Sequence, residues 1–347
     1  MQQVKIGIIG LGFMGTTHWG VYQGLKSAKI VALADVDAKK RKGDISAVVG
    51  NIGGGDNSKP LDLAGVTVYE DAFALIANAD VDVVDICVPT PDHAEIVCAA
   101  LAAGKHVFCE KPLCRDTAQL KKVVASARKA KGFFNVGLCV RAWPEYRHAY
   151  EYFKSGKAGK MKSATFKRIS PSVDGNAWRN WFMDGTASGG ALLDLHVHDA
   201  DEVIYFFSMP KAVSAVGAAD IVSKGGVDHV VATYDYGDGT LVMAEGGWAA
   251  AKGTPFEMSF TIVCEKATLK LDASGYHIYP VKGKAITPKL DVKAGPTGWH
   301  QELVYFVNCV AKGVKPDKYQ TLASVEDTMK LVFAEEKSVK CGKRILL

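Results

Sequence analysis

The stretch Val4-Lys5-Ile6-Gly7-Ile8-Ile9-Gly10-Leu11-Gly12-Phe13-Met14-Gly15 decides the fold. Its first half is apolar and largely β-branched, which predicts a strand over 4–9. Its second half spaces glycines at 10, 12 and 15 as G-x-G-x-x-G, in front of a run that reads as helix. The spacing has a physical reason. The first glycine permits the tight turn, the second lets backbone approach a pyrophosphate, and the third lets helix and strand pack closely. The helix N-terminus then offers unpaired N–H groups and a positive dipole end to phosphates. Asp35 ends the next apolar run, 30–34, twenty residues after Gly15. A carboxylate there accepts hydrogen bonds from both hydroxyls of an adenosine ribose and repels a 2′-phosphate. Gly10, Gly12, Phe13, Met14, Gly15 and Asp35 are therefore candidate dinucleotide contacts, and NAD is favoured. Lys39, Lys40, Arg41 and Lys42 read as a solvated helix start, a run that leaves NADP open.

Working outward, further apolar runs at 83–88, 106–109 and 134–138 alternate with helical patterns. Asp92 with Glu95 reads as a capped helix start and Gly104 as its end. Asp116 with Gln119 reads as another start, and Leu120, Val123, Val124 and Ala127 then recur at helical spacing. Continuous apolar strands alternating with helices predict a doubly wound α/β domain over 1–142. The glycine-rich, polar stretch 50–65 reads as a surface loop. Beyond it the rhythm changes. Val230, Ala232, Tyr234 and Tyr236 alternate with polar neighbours, turn at Gly237-Asp238-Gly239, and return over 240–244. Phe256, Met258, Phe260 and Ile262 alternate again, turn at Glu265-Lys266-Ala267, and return over 268–271. Two hairpins predict an antiparallel sheet in a second domain, 143–347. One face of that sheet needs helices or another subunit to cover it. Residues 321–339 read as a helix expected to pack back on the first domain.

The chain has 347 residues, 48% hydrophobic and 23% charged, which suits two domains and excludes wholesale disorder. A net charge of +5 gives no nucleic-acid footprint. No uncharged apolar run reaches ~18 residues, so no membrane helix is expected. The opening apolar stretch is broken by glycines and no small-residue cleavage site follows, so it reads as structure, not as a secretory signal. The eight cysteines form no C-x-x-C pair and read as reduced thiols of a cytoplasmic protein.

Two later motifs carry chemistry. Glu110-Lys111-Pro112 follows a predicted parallel strand, at the end where open α/β sheets bind ligands. Pro112 restricts Lys111 to extended backbone and so limits where its ammonium points. Gly189-Gly190-Ala191-Leu192-Leu193-Asp194-Leu195-His196-Val197-His198-Asp199 runs a glycine pair into an acidic, histidine-bearing segment. On one helix Asp194 and His198 share a face with Asp201, and His196 points elsewhere. His196 and His198 also form an H-x-H pair, but two histidines two apart on a helix diverge, so no metal is assigned. Arg141, Trp178, Arg179, Trp181, Trp299 and His300 are of pocket-lining type, although buried tryptophans are more often core.

These motifs, in this order, resemble those of the Gfo/Idh/MocA oxidoreductase superfamily, named for glucose–fructose oxidoreductase, inositol 2-dehydrogenase and MocA. The resemblance covers nearly the whole chain: the glycine loop, Thr90-Pro91-Asp92-His93, Glu110-Lys111-Pro112 and the D-x-x-x-H pair Asp194 and His198. It implies a Rossmann domain followed by an α/β domain with an open, mostly antiparallel sheet, paired in homodimers or homotetramers. It also implies hydride transfer between NAD(P) and a carbon bearing oxygen in a sugar, polyol or sugar derivative. Lys111 would then hydrogen-bond the reacting oxygen or carry the proton itself. His198 would exchange the hydroxyl proton, a task suited to a pKa near ~6.5. Asp194 would bind a neighbouring hydroxyl and hold the histidine. Thr90, His93 and Glu110 would lie with Lys111 beside the cofactor. A dinucleotide-sensing regulator without turnover, or a glycosidase that uses NAD transiently, would carry similar residues.

Overall fold

The structure, a computed structural model, describes residues 3–50, 57–77, 80–173, 175 and 178–347. The chain divides into two units. The first comprises Met1–Leu138, Gly175–Trp181 and Trp299–Glu326; the second comprises Cys139–Asp174, Phe182–Gly298 and Asp327–Leu347.

In the first unit the opening stretch forms β1 (Val4–Ile9) and α1 (Phe13–Gln23). There follow β2 (Ala28–Ala34), β3 (Thr67–Tyr69), α2 (Ala72–Ile76), β4 (Val83–Ile86), α3 (Thr90–Ala102), β5 (His106–Cys109), α4 (Thr117–Lys129) and β6 (Phe134–Val136). All pairs are parallel, and the sheet order is β3-β2-β1-β4-β5-β6. The strand order reverses between β1 and β4, the switch point at which such sheets open a crevice at their carboxyl ends. Ile6, Ile8, Val83 and Phe108 are sealed from solvent because helices cover both faces. β3 escapes sequence reading because three residues carry no period.

Asp92 is not a cap. α3 begins at Thr90 with Pro91 in its first turn, where a missing N–H matters least, and Asp92 lies inside that turn. Asp116 is the cap expected: its carboxylate accepts from Gln119 N at 2.8 Å, while Gln119 accepts from Arg115 N at 2.9 Å. Of the stretch 50–65, residues 51–56 lie outside the described residues. Its later part is not purely surface, since Leu61 and Leu63 pack against the core.

The second unit opens with α5 (Pro144–Lys154) and β7 (Met161–Pro171), then α6 (Gly185–Ser188), α7 (Gly190–Asp194) and α8 (Val197–Phe207). β8 (Ala212–Ala219), β9 (Val227–Asp235), β10 (Leu241–Ala250), β11 (Glu257–Cys264), β12 (Ala267–Asp272) and β13 (Gly275–Pro280) follow. The chain ends with α9 (Gly298–Lys312), α10 (Leu322–Cys341) and β14 (Ile345–Leu346). The eight-stranded sheet runs β13-β12-β11-β7-β10-β9-β8-β14, antiparallel except for β7 beside β10. Both expected hairpins form: Val242 faces Tyr234 across one and Phe260 faces Leu271 across the other.

Helices cover one face of this sheet. Phe206 of α8 meets Phe166 of β7 at 5.8 Å between ring centroids, and Tyr146 of α5 meets Phe260 of β11 at 4.9 Å. β7 hides from pattern reading because its inward row, Ala164, Phe166, Arg168 and Ser170, includes a buried arginine. α9 belongs mainly to the first unit, where Leu303, Phe306 and Val307 join the core beneath β1. All eight cysteines are free; five are buried, Cys87 and Cys98 are half-buried, and Cys341 is exposed. Among the described residues, no helix is long and apolar enough to cross a membrane.

Candidate functional site

The first unit gathers every candidate cofactor contact at the carboxyl ends of its central strands. Gly10 has φ +91°, a left-handed conformation that favours glycine, and a Cβ there would fall 2.7 Å from the Cys87 carbonyl oxygen. A Cβ on Gly15 would collide with the Gly10 carbonyl oxygen, so the third glycine is what lets α1 start so close to β1. A Cβ on Gly12 would meet nothing within 4 Å, so the backbone at the second glycine is open to a ligand. Phe13 and Met14, both half-buried, open α1, and Phe13 sits edge-on to Trp299 at 6.2 Å.

Asp35 is tied to that loop. Its Oδ2 accepts from Leu11 N at 2.7 Å and its Oδ1 from Asp37 N at 2.8 Å. Each carboxylate oxygen retains a second lone pair for a ribose hydroxyl. Arg41 is not a solvated residue at a helix start. Lys40–Lys42 is a single 3-10 turn, and the Arg41 guanidinium folds back to donate to the carbonyls of Asp35 at 2.9 Å and Val36 at 3.0 Å. It also pairs with Glu70 at 3.4 Å. An open glycine cradle, a helix N-terminus and an acid at the end of β2 fit a dinucleotide.

Thr90 is buried at the start of α3. Both ring nitrogens of His93 lie on backbone carbonyls, Nδ1 on Pro112 and Nε2 on Val88, each at 2.8 Å. Burial holds this imidazole below its ordinary pKa. A neutral imidazole carries one N–H, so the ring donates to one of these carbonyls and lies against the other. Lys111 is half-buried, and its bond to Pro112 is cis. Glu110 is buried, and its Oε2 accepts from Lys111 N at 3.1 Å.

Beneath this turn lies a residue that sequence reading missed. His18, on the buried face of α1, has Nδ1 at 2.8 Å from Asp85 Oδ2 and Nε2 at 3.2 Å from Glu110 Oε1. Cys87 Sγ lies 3.4 Å from the same Nδ1. Burial pushes the His18 pKa down, but Asp85 and Cys87 outweigh it and raise it well above its ordinary value. The donor atoms of His18, Asp85 and Cys87 lie within 4.8 Å of one another, yet the Nδ1-to-Asp85 spacing is that of a hydrogen bond carrying a proton. The cysteine gains no nucleophilic character, because burial pushes its thiol up. Asp85 was the available signal: a carboxylate inside the apolar run Val83-Val84-Asp85-Ile86 needs a buried partner.

In the second unit, Asp194 and His198 do not share one continuous helix. α7 ends at Asp194, His196 N bonds back to Ala191 O at 2.8 Å, and α8 starts at Val197. Asp194 is half-buried, and His198 is 8% exposed in the first turn of α8. Asp201, three residues after His198 on α8, is fully buried. It takes the Arg141 guanidinium at 2.7 and 2.6 Å and the Thr328 hydroxyl at 2.7 Å, all buried. Arg141 is therefore held in the core. His196 turns inward to Glu335 at 3.2 Å, and a Cβ on Gly246 would fall 2.7 Å from its ring. Arg168 pairs with Asp199 at 2.9 Å. Beside them Glu202 is fully buried, and burial, then the Asp201 charge, push its carboxyl well above the usual range.

Residues 4–138 match a family model described as an oxidoreductase family with an NAD-binding Rossmann fold. Residues 146–270 match one described as a GFO/IDH/MocA C-terminal domain. A levoglucosan dehydrogenase of Pseudarthrobacter phenanthrenivorans is 32% identical over 239 residues, 66% of this chain and 58% of that protein. The match thus spans less than two thirds of that relative's length. A myo-inositol 2-dehydrogenase of Thermotoga maritima is 28% identical over 256 residues, 72% of this chain and 70% of that protein. A solved levoglucosan dehydrogenase, in complex with NADH and levoglucosan, has the same fold, with a TM-score of 0.83 at 20% identity over 99% of each chain.

Proposed function

The chain belongs to the Gfo/Idh/MocA family of NAD-binding oxidoreductases, and from that membership we propose that it moves a hydride between NAD and a carbon bearing oxygen in a sugar, polyol or sugar derivative. The observation that carries this reading is one sheet edge. The open glycine loop, the Asp35 carboxylate and the Glu110-Lys111-Pro112 turn stand at the carboxyl ends of β1, β2 and β5 in one parallel sheet.

Gly10, Gly12 and Gly15 with the N-terminus of α1 hold the pyrophosphate, flanked by Phe13 and Met14. Asp35 holds the adenosine ribose. Thr90 shapes the nicotinamide end, and His93 acts there through the carbonyls it fixes. Bound NAD supplies the hydride acceptor or donor. Lys111 donates a hydrogen bond to the reacting oxygen and stabilises the charge that develops on it. His198 exchanges the hydroxyl proton, and Asp194 binds an adjacent hydroxyl. NAD is the expected cofactor because the Asp35 carboxylate repels a 2′-phosphate, and the neighbouring Arg41 guanidinium is taken up by carbonyls and Glu70.

The segment 1–142, joined by α9, serves as the dinucleotide domain, and the rest of 143–347 as the substrate and oligomerisation domain. The uncovered face of the second sheet, with Val216 and Leu241 each 72% exposed, pairs with a second copy in a homodimer or homotetramer. Eight free thiols support a cytoplasmic location.

The test is a spectrophotometric panel of polyols and keto sugars, inositols and levoglucosan first, with NAD and with NADP. NADH formation that disappears in Lys111→Ala is expected, together with tighter binding of NAD than of NADP. Cofactor binding without turnover would point to a regulator. Release of an aglycone without NADH accumulation would point to a redox-assisted glycosidase. Light scattering in solution checks the oligomer.

A further inference from the structure

We propose that His18 is a positioning residue: its buried imidazole, anchored on Asp85, fixes the Glu110 carboxylate, and Glu110 in turn fixes the backbone of Lys111. The proposal rests on the reading of Lys111 given above and extends it one layer inward.

Two hydrogen bonds, joined by one close His18–Glu110 ion-pair contact that lacks hydrogen-bond alignment, form a series within one unit. Asp85 Oδ2 to His18 Nδ1 is 2.8 Å, His18 Nε2 to Glu110 Oε1 is 3.2 Å, and Lys111 N to Glu110 Oε2 is 3.1 Å. The first two links join different elements, α1 with β4 and α1 with the turn after β5, and the third lies within that turn. His18 and Asp85 are sealed from solvent, and Glu110 is 5% exposed. Two carboxylates and one imidazole are costly to bury unless paired. The groups around His18 are Asp85, Cys87, Glu110, and the rings of Tyr22 and Phe108 at 6.4 and 5.6 Å.

Two further observations say that the far end of the series is built for placement. A Cβ on Gly137, in the chain just past β6, would fall 2.7 Å from Glu110 Oε1, so glycine there leaves the carboxylate its position. On the other side, His93 holds the Pro112 carbonyl at 2.8 Å. Lys111 thus lies between a carboxylate set against one buried histidine and a carbonyl set against another. A charged pair that served stability alone would need no contact to the main chain of a candidate catalytic residue.

The experiment compares His18→Leu, His18→Gln, Glu110→Gln, the His18→Leu/Glu110→Gln double variant and Lys111→Ala with the unaltered chain. His18→Gln keeps a side-chain donor for Glu110, and Glu110→Gln keeps the volume, so the series survives the loss of any one protein to misfolding. Competitive acetylation with acetic anhydride, read by mass spectrometry, reports Lys111 against the exposed Lys154 and needs no substrate. Turnover of the polyol that gives NADH with the unaltered chain reports kcat and KM, and fluorescence titration reports the NAD dissociation constant.

The expected result is a several-fold change in Lys111 labelling in His18→Leu and in Glu110→Gln, no greater in the double variant, and largely restored in His18→Gln. With it, kcat falls by roughly 10–100-fold, as for a catalytic group displaced by a fraction of an ångström, while NAD affinity holds in His18→Leu. Unchanged Lys111 labelling in folded His18→Leu, or additive losses in the double variant, overturns the proposal. Normal turnover in Lys111→Ala with the labelling coupling intact instead sinks the catalytic reading of Lys111 and leaves the coupling standing.

Discussion

The first unit hides His18, Asp85 and Glu110 under a backbone turn that carries a half-buried lysine. The second unit hides Arg141 with Asp201, Arg168 with Asp199, and His196 with Glu335 between α8, β7 and α10, as buried pairs of opposite charge. Both sets are sealed from water, but they end differently. One ends on the main chain of a candidate catalytic residue, and the other pairs charges between packed elements. A charge cluster that ends at a functional residue should be felt in turnover, and one that ties packed elements together should be felt in stability.

The sharpest break of that comparison is in kinetics. Lys111→Ala and His198→Ala are each expected to lower kcat by ~10²–10⁴-fold while NAD affinity survives. Near-normal turnover in both removes them from the mechanism. Next in size is Arg168→Met, which leaves Asp199 buried without its partner. It should destabilise the chain by about 3–5 kcal/mol in urea unfolding. A loss below ~1 kcal/mol would show that water reaches the pair and that the second unit is looser than its packing indicates.

Asp35→Ala comes third. It removes the acceptor for Leu11 N and the ribose acid together, so NAD affinity should fall about tenfold, with roughly 1–2 kcal/mol lost in stability. Equal affinity for NAD and NADP in the unaltered chain would already contradict the role given to Asp35.

The smallest effect is expected from Glu202→Gln. Burial raises the Glu202 carboxyl in the folded state, so its contribution is complete below the unfolded value near 4.5 and fades as pH rises through the folded value. The glutamine variant should therefore lose that downward slope when unfolding is followed across a pH series. Parallel curves for the two proteins would mean that Glu202 is ionised and compensated.

The parts of the fold that were legible are those where one local rule operates. β1 and β5 are apolar runs with defined ends, and the glycine loop has a spacing that only a tight turn next to a helix requires. The hairpins were legible from alternation and from the Gly237-Asp238-Gly239 turn. What escaped reading depends on distant partners. Arg168 breaks the inward row of β7, and its reason is Asp199 on α8. His18 drew no reading at all, because its reasons are Asp85 and Glu110, far along the chain. The Asp194–His198 stretch reads as one helix by spacing, but a slipped hydrogen bond at His196 divides it. His93 suggested a cofactor contact, and both of its nitrogens lie on carbonyls. Long-range polar pairing has no period along the chain, so pattern reading passes over it.

The most direct measurement follows the hydride itself. The chain is incubated with NAD and a polyol deuterated at its carbinol carbon, and the nicotinamide is recovered for mass spectrometry. Deuterium on NADH from the unaltered chain, and none from Lys111→Ala, is the outcome expected. Tight NAD binding with no deuterium reaching the nicotinamide across the polyol and sugar panel would contradict the account.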